Sequence, residues 1–112
     1  MLMFTRGEWQ ETASEEEQRK IFATVGEWWE KLARQGTIVE GNRLEPPHTA
    51  TTVVLNRGQS TLFDGPFMES KEAIGGYGIV DVANLDAAIA VARSFPSPNG
   101  KVEVRPVAPR QR

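Results

Sequence analysis

The stretch from Ser14 to Gly36 carries the clearest structural signal in this chain. Ser14 followed three residues later by Glu17 forms a capping box, and the glutamates there place negative charge at the positive end of a helix. Apolar side chains then recur at helical spacing, at Ile21, Val25, Trp28 and Leu32. Gly36 is typical of the position just past a helix end. The sequence therefore predicts one long amphipathic helix that must pack its apolar face on a partner.

Short apolar or β-branched runs surround this helix and set the fold class. They cover residues 1–4, 37–44, 46–56, 60–63, 75–82 and 101–107. A second helix is predicted over residues 85–95, with Asn84 as its cap and Pro96 as its stop. Its buried face is expected to carry Leu85, Ala88, Ile89, Ala92 and Phe95. The order of elements predicts an α+β, ferredoxin-like split βαβ fold, with a single antiparallel sheet and two helices on one face. The other face of the sheet is left open, so we expect a second copy of the chain to cover it.

Composition excludes several classes of protein. The chain has 112 residues, which suits a single domain over 1–112, and a net charge of -2 argues against a nucleic-acid surface. It has no cysteine and one histidine, and it shows no phosphate or dinucleotide motif, so no metal and no cofactor are expected. No apolar run is long enough for a membrane span. We expect a soluble cytoplasmic protein.

The connection between residues 62 and 80 is too long and too charged for a plain hairpin turn. It begins with Asp64 and Gly65, and it contains the further candidate ligand-binding residues Phe67, Glu69, Lys71, Glu72 and Tyr77. One interpretation is structural: Asp64 accepts backbone hydrogen bonds in a turn, and the charged residues form a solvated loop. The other is functional: the turn directs the Asp64 carboxylate into a cleft as the candidate catalytic group, and the loop carries the binding groups.

Three further polar residues are candidates for ligand binding. Glu103 and Arg105 alternate with Val102 and Val104, which places both charges on the open face of the sheet, inside the expected dimer. Arg105 then serves either an internal ion pair or an anionic ligand. His48, in a loop before a strand, is either a general base or an ordinary exposed histidine.

The adjacent tryptophans Trp28 and Trp29 point about 100° apart on a helix. We therefore expect one of them in the core and the other over a cleft.

The motif of residues 64–77, followed by the strand of residues 102–107, resembles the YCII-related family, in the branch named for its Asp-Gly-Pro-Phe sequence. The resemblance implies ferredoxin-like domains that pair as homodimers, with the two sheets facing each other in a dimeric α+β barrel. It also implies sites in clefts between sheet and interface, and in some members an association with extracytoplasmic-function sigma factors. Lyase or dehydrochlorinase chemistry, with a helix histidine and an aspartate as acid–base pair, is attached to the wider family.

The sequence departs from that acid–base pattern. Val25 lies about where the family histidine would fall, so the histidine–aspartate mechanism is not carried over. Two hypotheses remain, and whether the protein is an enzyme stays open between them. The first is a homodimer that binds a small polar organic molecule near Asp64, Tyr77 and Arg105. The second is a non-catalytic dimeric module that accompanies a sigma factor or another transcription protein.

Overall fold

The computed structural model describes residues 1–7, 9–65 and 74–109. The strands are β1 (Leu2–Thr5), β2 (Ile38–Arg43), β3 (Thr51–Asn56), β4 (Gln59–Asp64), β5 (Ile74–Val80) and β6 (Val102–Val104). The helices are α1 (Trp9–Thr12), α2 (Glu15–Arg34) and α3 (Leu85–Arg93), and a short 3-10 turn covers Pro47–Thr49.

Four of these strands form one antiparallel sheet in the order β2-β5-β1-β6. The helix α2 connects β1 to β2, and α3 connects β5 to β6, so each helix joins two strands that are not neighbours in the sheet. This is the split βαβ arrangement that the order of elements predicts. The α+β class and the antiparallel sheet are therefore confirmed.

Both helices pack on the same face of the sheet. Leu2 and Phe4 of β1 point to that face and are buried. The Phe4 ring lies 6.1 Å from the ring of Trp28 on α2 and 4.4 Å from the ring of Phe95, just past α3. The core of the domain is thus an aromatic cluster centred on the middle of β1.

Local signals place the helix ends. The Ser14 hydroxyl accepts a hydrogen bond from the Glu17 backbone N–H at 3.2 Å, as the capping box predicts. The Asn84 side chain accepts one from the Ala87 N–H at 2.9 Å and begins α3. Gly36, with φ of 77°, takes the left-handed conformation just beyond α2. One expectation for α3 is wrong: Leu85, predicted on its buried face, is exposed.

The prediction of a single sheet is also wrong. Strands β3 and β4 pair only with each other among the described residues and form a separate two-stranded sheet. Arg57 and Gly58, both with positive φ, close this hairpin in a two-residue turn. Such a turn allows the two strands to form backbone hydrogen bonds with each other, so neither strand has to pair with an edge of the main sheet.

The second face of the four-stranded sheet carries a row of side chains in register. Asn42, Tyr77, Met3 and Glu103 lie side by side across the four strands. They belong to alternate positions from the buried Leu2 and Phe4, so they point away from the helices. We call this surface the open face.

Candidate functional site

A cavity of about 360 Å³ lies between α2 and the helix-bearing face of the sheet. It is located where β1 and β2 end and β5 begins, because Thr5, Arg43 and Gly75 all line it. Five aromatic residues contribute to its walls: Phe4, Trp9, Phe22, Trp29 and Phe95. We call it the aromatic cavity. Its volume falls within the usual range of small-molecule sites, roughly 300–1,000 Å³.

The helix contributes one lining face to this cavity. Phe22, Val25, Gly26 and Trp29 line it and follow the i, i+3, i+4, i+7 spacing of a single helix face. Gly26 is unexpected in the middle of a 20-residue helix, where a glycine costs about 1 kcal/mol relative to alanine. Apart from its chain neighbours and the nearby backbone of the helix, no atom of the described residues lies within 4 Å of the position that a β-carbon would take there. The missing side chain therefore leaves space on the helix face that borders the cavity.

Trp9 lines the cavity with its ring against Phe22 of α2, and several contacts fix its position. It is buried, and its indole N–H donates a hydrogen bond to the Ser97 hydroxyl at 2.9 Å. Its ring meets the Phe22 ring edge to face, with 4.9 Å between the centroids. Gly7 permits this position, because a β-carbon on Gly7 would overlap the Trp9 ring. The wall is thus preorganised by contacts from two separate parts of the chain.

The polar groups of the lining are few. Arg43 is its one charged residue within the described part of the chain, and its guanidinium carbon stands 4.6 Å from the centre of the Phe22 ring. The Gln10 side chain also borders the cavity. A mostly apolar cavity with a small number of polar groups at fixed positions is the usual form of a small-molecule site.

Sequence comparison places this architecture in a family. The profile of the YCII-related domain matches residues 3–111. The chain belongs to the YCII-related family. An uncharacterized protein of Rhizobium meliloti is 34% identical over 98 residues, which cover 85% of this chain and 79% of that protein. That relative has no assigned activity, so it supplies no function for this YCII-related domain.

Three candidate residues of this YCII-related domain, Tyr77, Glu103 and Arg105, have polar partners within the chain. The Tyr77 hydroxyl accepts a hydrogen bond from the Asn42 amide at 3.4 Å. Arg105 and Glu103 form an ion pair at 2.8 Å, with 64% and 51% of their side chains exposed. The ion pair between Arg105 and Glu103, one of the two alternatives for Arg105, is therefore present, and about half of each side chain or more is exposed in the single chain. Met3 separates Tyr77 from Glu103 in the register.

The remaining candidates cluster near the hairpin or fall outside the described residues. Asp64 ends β4 and is exposed, and His48 is exposed in the 3-10 turn before β3. The backbone of Gly65 ties this end of the hairpin together, because its N–H donates to the Ala50 carbonyl and its carbonyl accepts from the Thr52 hydroxyl, both at 2.7 Å. Phe67, Glu69, Lys71 and Glu72 lie outside the described residues. A ligand role for these residues stays a prediction.

Sequence reasoning missed most of the aromatic cavity. Trp9, Gln10, Phe22 and Arg43 were not candidates, because none of them belongs to a motif that names a chemistry. Of the adjacent tryptophans, Trp29 lines the cavity, whereas Trp28 packs edge to face against Phe4 and Phe95 of the aromatic cluster. The signal that could have located the cavity is Gly26, a costly glycine on the lining face of a helix.

Among the described residues of this YCII-related domain, no group of three or more histidine, cysteine, aspartate or glutamate side chains is arranged to hold a metal ion. Among the described helices, none has the length and hydropathy required to cross a membrane.

Proposed function

We propose that this YCII-related domain is a homodimeric small-molecule-binding protein of the Asp-Gly-Pro-Phe branch, with its ligand in the aromatic cavity. The observation that carries the proposal is the cavity itself: a volume of about 360 Å³ with aromatic walls and a small number of polar residues, among which Arg43 carries the one charge of the described lining. Gly75 and Gly76, which lie near the end of the motif of residues 64–77, line it. This relates the cavity to the motif of the branch. A second cleft near Asp64, Tyr77 and Arg105, closed by the partner subunit, remains a separate expectation.

The open face supports the dimer. Met3, at its centre, is flanked in register by Tyr77 on β5 and Glu103 on β6. The described helices cover only the opposite face, and in the single chain Glu103 is exposed and Met3 and Tyr77 are half-buried. Pairing of two such faces would produce the dimeric α+β barrel that the resemblance implies.

The size and shape of the single chain support the same proposal. Its accessible surface is 8826 Å², whereas a compact monomer of 12.4 kDa exposes about 6,100 Å². Its radius of gyration is 16.1 Å, against about 13 Å for a compact domain of this length. The extra surface exceeds the roughly 800 Å² that each partner buries in a standard interface. A second copy is the partner that this much exposed surface favours.

The β3–β4 hairpin has an exposed apolar surface that could also contact the second copy. Val53, Leu55 and Leu62 lie on one side of it, because Val53 is paired with Leu62 and Leu55 is two residues from Val53. Their exposed fractions are 52%, 79% and 68%. Three large apolar side chains on one exposed surface are typical of a protein contact. We therefore include this side of the hairpin in the proposed interface.

Substitution of Met3 by glutamate should dissociate the dimer. The new carboxylate would sit at the centre of the open face and opposite Glu103, where like charges repel. Sedimentation at low micromolar concentration should give twice the 12.4 kDa chain mass for the wild type and the single mass for Met3→Glu. The matched control is Leu85→Glu, which also replaces an exposed apolar residue but lies at the first turn of α3, where a negative charge is favourable.

The control variant should remain dimeric. A wild-type protein that sediments as a monomer would refute the dimer. A Met3→Glu variant that stays dimeric would show that the copies associate through a different surface.

Ligand binding is tested by filling the cavity from the helix side. Gly26→Leu adds a side chain on the lining face without a clash at the β-carbon, and leucine favours the helix. We expect a screen of small organic molecules to find compounds that shift the indole N–H signals of Trp9 and Trp29 in NMR spectra. Gly26→Leu should weaken their binding about tenfold or more. Ala23→Leu, which adds a similar side chain at an exposed position of α2, should leave binding unchanged.

If no compound moves these two signals, the ligand-binding proposal fails and the dimeric regulatory module becomes the better hypothesis. If compounds bind equally well to Gly26→Leu, they bind elsewhere. Either result would remove the aromatic cavity as the site.

A further inference from the structure

We infer that the ligand of the aromatic cavity is a flat aromatic anion, an aromatic carboxylate of about two fused rings. The inference rests on the proposed function, because it assigns a chemical class to the occupant of the same cavity. Three properties of the described lining residues carry it: the isolated charge of Arg43, the aromatic walls, and the hydrogen bonds that the other polar groups already make.

The charge comes first. The Arg43 guanidinium stands on the Phe22 ring at 4.6 Å and forms no ion pair or hydrogen bond with any described residue. Contact with an aromatic ring orients the guanidinium but leaves its N–H donors free. A planar guanidinium with free donors is the side chain best suited to bind a carboxylate through two parallel hydrogen bonds. The single charge of the lining therefore selects an anion.

The walls determine the shape of the remainder of the ligand. Trp9 and Phe22 meet at one side, and Trp29 lies on the same helix face as Phe22. On the sheet side Trp29 packs directly on Gly41, whereas Gly76 contributes no side chain, so the backbone itself forms the surface there. A slot between aromatic rings and bare backbone fits a planar ring better than a branched aliphatic group.

Hydrogen bonds inside the lining limit the polarity of the ligand. The Ser97 hydroxyl accepts from Trp9 and donates to the Asn99 carbonyl at 2.6 Å. The Thr5 hydroxyl accepts from the Lys101 N–H at 2.7 Å and also donates to the Lys101 carbonyl at 3.2 Å. Both hydroxyls are thus engaged. The Gln10 side chain has no hydrogen-bond partner among the described residues, so it is free to bind one neutral polar substituent.

The volume sets the number of rings. An apolar cavity of about 150 Å³ is enough for a benzene molecule. The aromatic cavity has about 360 Å³, which leaves room for a second fused ring and a carboxylate. A sugar or a simple amino acid would match neither the walls nor the small number of free polar groups.

Naphthoate and its neutral counterpart naphthamide test the inference as a matched pair of probes. Binding to the full-length protein is followed by calorimetry and by the indole N–H signals of Trp9 and Trp29. We expect naphthoate to bind the wild type about tenfold more tightly than naphthamide. Arg43→Gln should abolish this preference and leave the affinity for naphthamide unchanged, because it removes the charge and keeps hydrogen-bonding capacity. Arg105→Gln, which removes a charge from the open face, should retain the preference.

Each contrary result identifies which proposal fails. Equal binding of the two probes to the wild type, or a preference that survives Arg43→Gln, would overturn the anionic class. If neither probe shifts the two indole signals while other compounds of the screen do, the aromatic class is wrong and the binding function stands. If no compound of any kind shifts them, both proposals are wrong.

Discussion

Replacement of Phe4 by alanine should lower the free energy of unfolding by about 3–5 kcal/mol. Phe4 is buried in the middle of β1, and its ring contacts those of Trp28, Trp29 and Phe95. Alanine would remove the centre of that cluster, and the large surrounding rings cannot collapse fully into the space. Since a domain of this kind is stable by about 5–15 kcal/mol, the loss would be a large part of the total.

Urea unfolding at one fixed protein concentration is the appropriate measurement, because the proposed dimerisation would make apparent stability depend on concentration. Val107→Ala is the control: it also shortens an apolar side chain, but Val107 is exposed, so its effect should stay within about 0.5 kcal/mol. A loss below about 1 kcal/mol for Phe4→Ala would contradict a core centred on β1.

The parts of the fold that the sequence predicts correctly depend on neighbouring residues. Ser14 and Glu17 are three residues apart and cap α2 through their own atoms, and Asn84 begins α3 in the same way. Alternation in β6 correctly separates Val102 and Val104 from Glu103, because the side-chain period of a strand is fixed by the backbone. Such signals do not require knowledge of any distant partner.

The partnership of strands is harder to predict. The runs that became β3 and β4 have ordinary strand composition, and nothing in them specifies whether they join the main sheet. The two-residue turn at Arg57 and Gly58 makes the local pairing sufficient. The separate hairpin thus follows from a competition between local and distant pairing, which residue patterns alone do not decide.

The candidate site is even harder to predict from the sequence than the pairing of the strands. The sequence directed attention to charged residues, and of these the structure brings Glu103 and Arg105 into contact. The aromatic cavity instead combines Trp9 from a four-residue helix, Arg43 from the end of a strand and Phe95 from beyond α3. Apolar residues far apart in sequence reveal a cavity only once their packing is known. A glycine such as Gly26, placed where it weakens a helix, is the one local sign of it.

The same chemical change at two lining glycines should have effects of opposite sign. Gly41→Ala should lower the free energy of unfolding by about 1–3 kcal/mol, because its β-carbon would overlap both the Trp29 ring and the Tyr77 carbonyl oxygen. We expect the upper part of that range, since the carbonyl belongs to the paired strand β5 and cannot rotate away. Gly26→Ala should raise stability by about 0.5–1 kcal/mol, because alanine favours the helix and its β-carbon would meet no described atom outside the neighbouring helix backbone.

Urea unfolding of both variants and the wild type, at one protein concentration, measures the two effects side by side. The ligand screen adds a second readout, since a displaced Trp29 in Gly41→Ala should also alter binding, whereas Gly26→Ala should reduce it little because one methyl group fills only a small part of the cavity. A gain of stability for Gly41→Ala would mean that Trp29 does not pack against β2, and the wall it forms would be misplaced. A loss for Gly26→Ala would mean that other atoms already fill the space beside α2. Because the wall and the space are independent requirements of the aromatic cavity, either outcome alone would count against it as a ligand site.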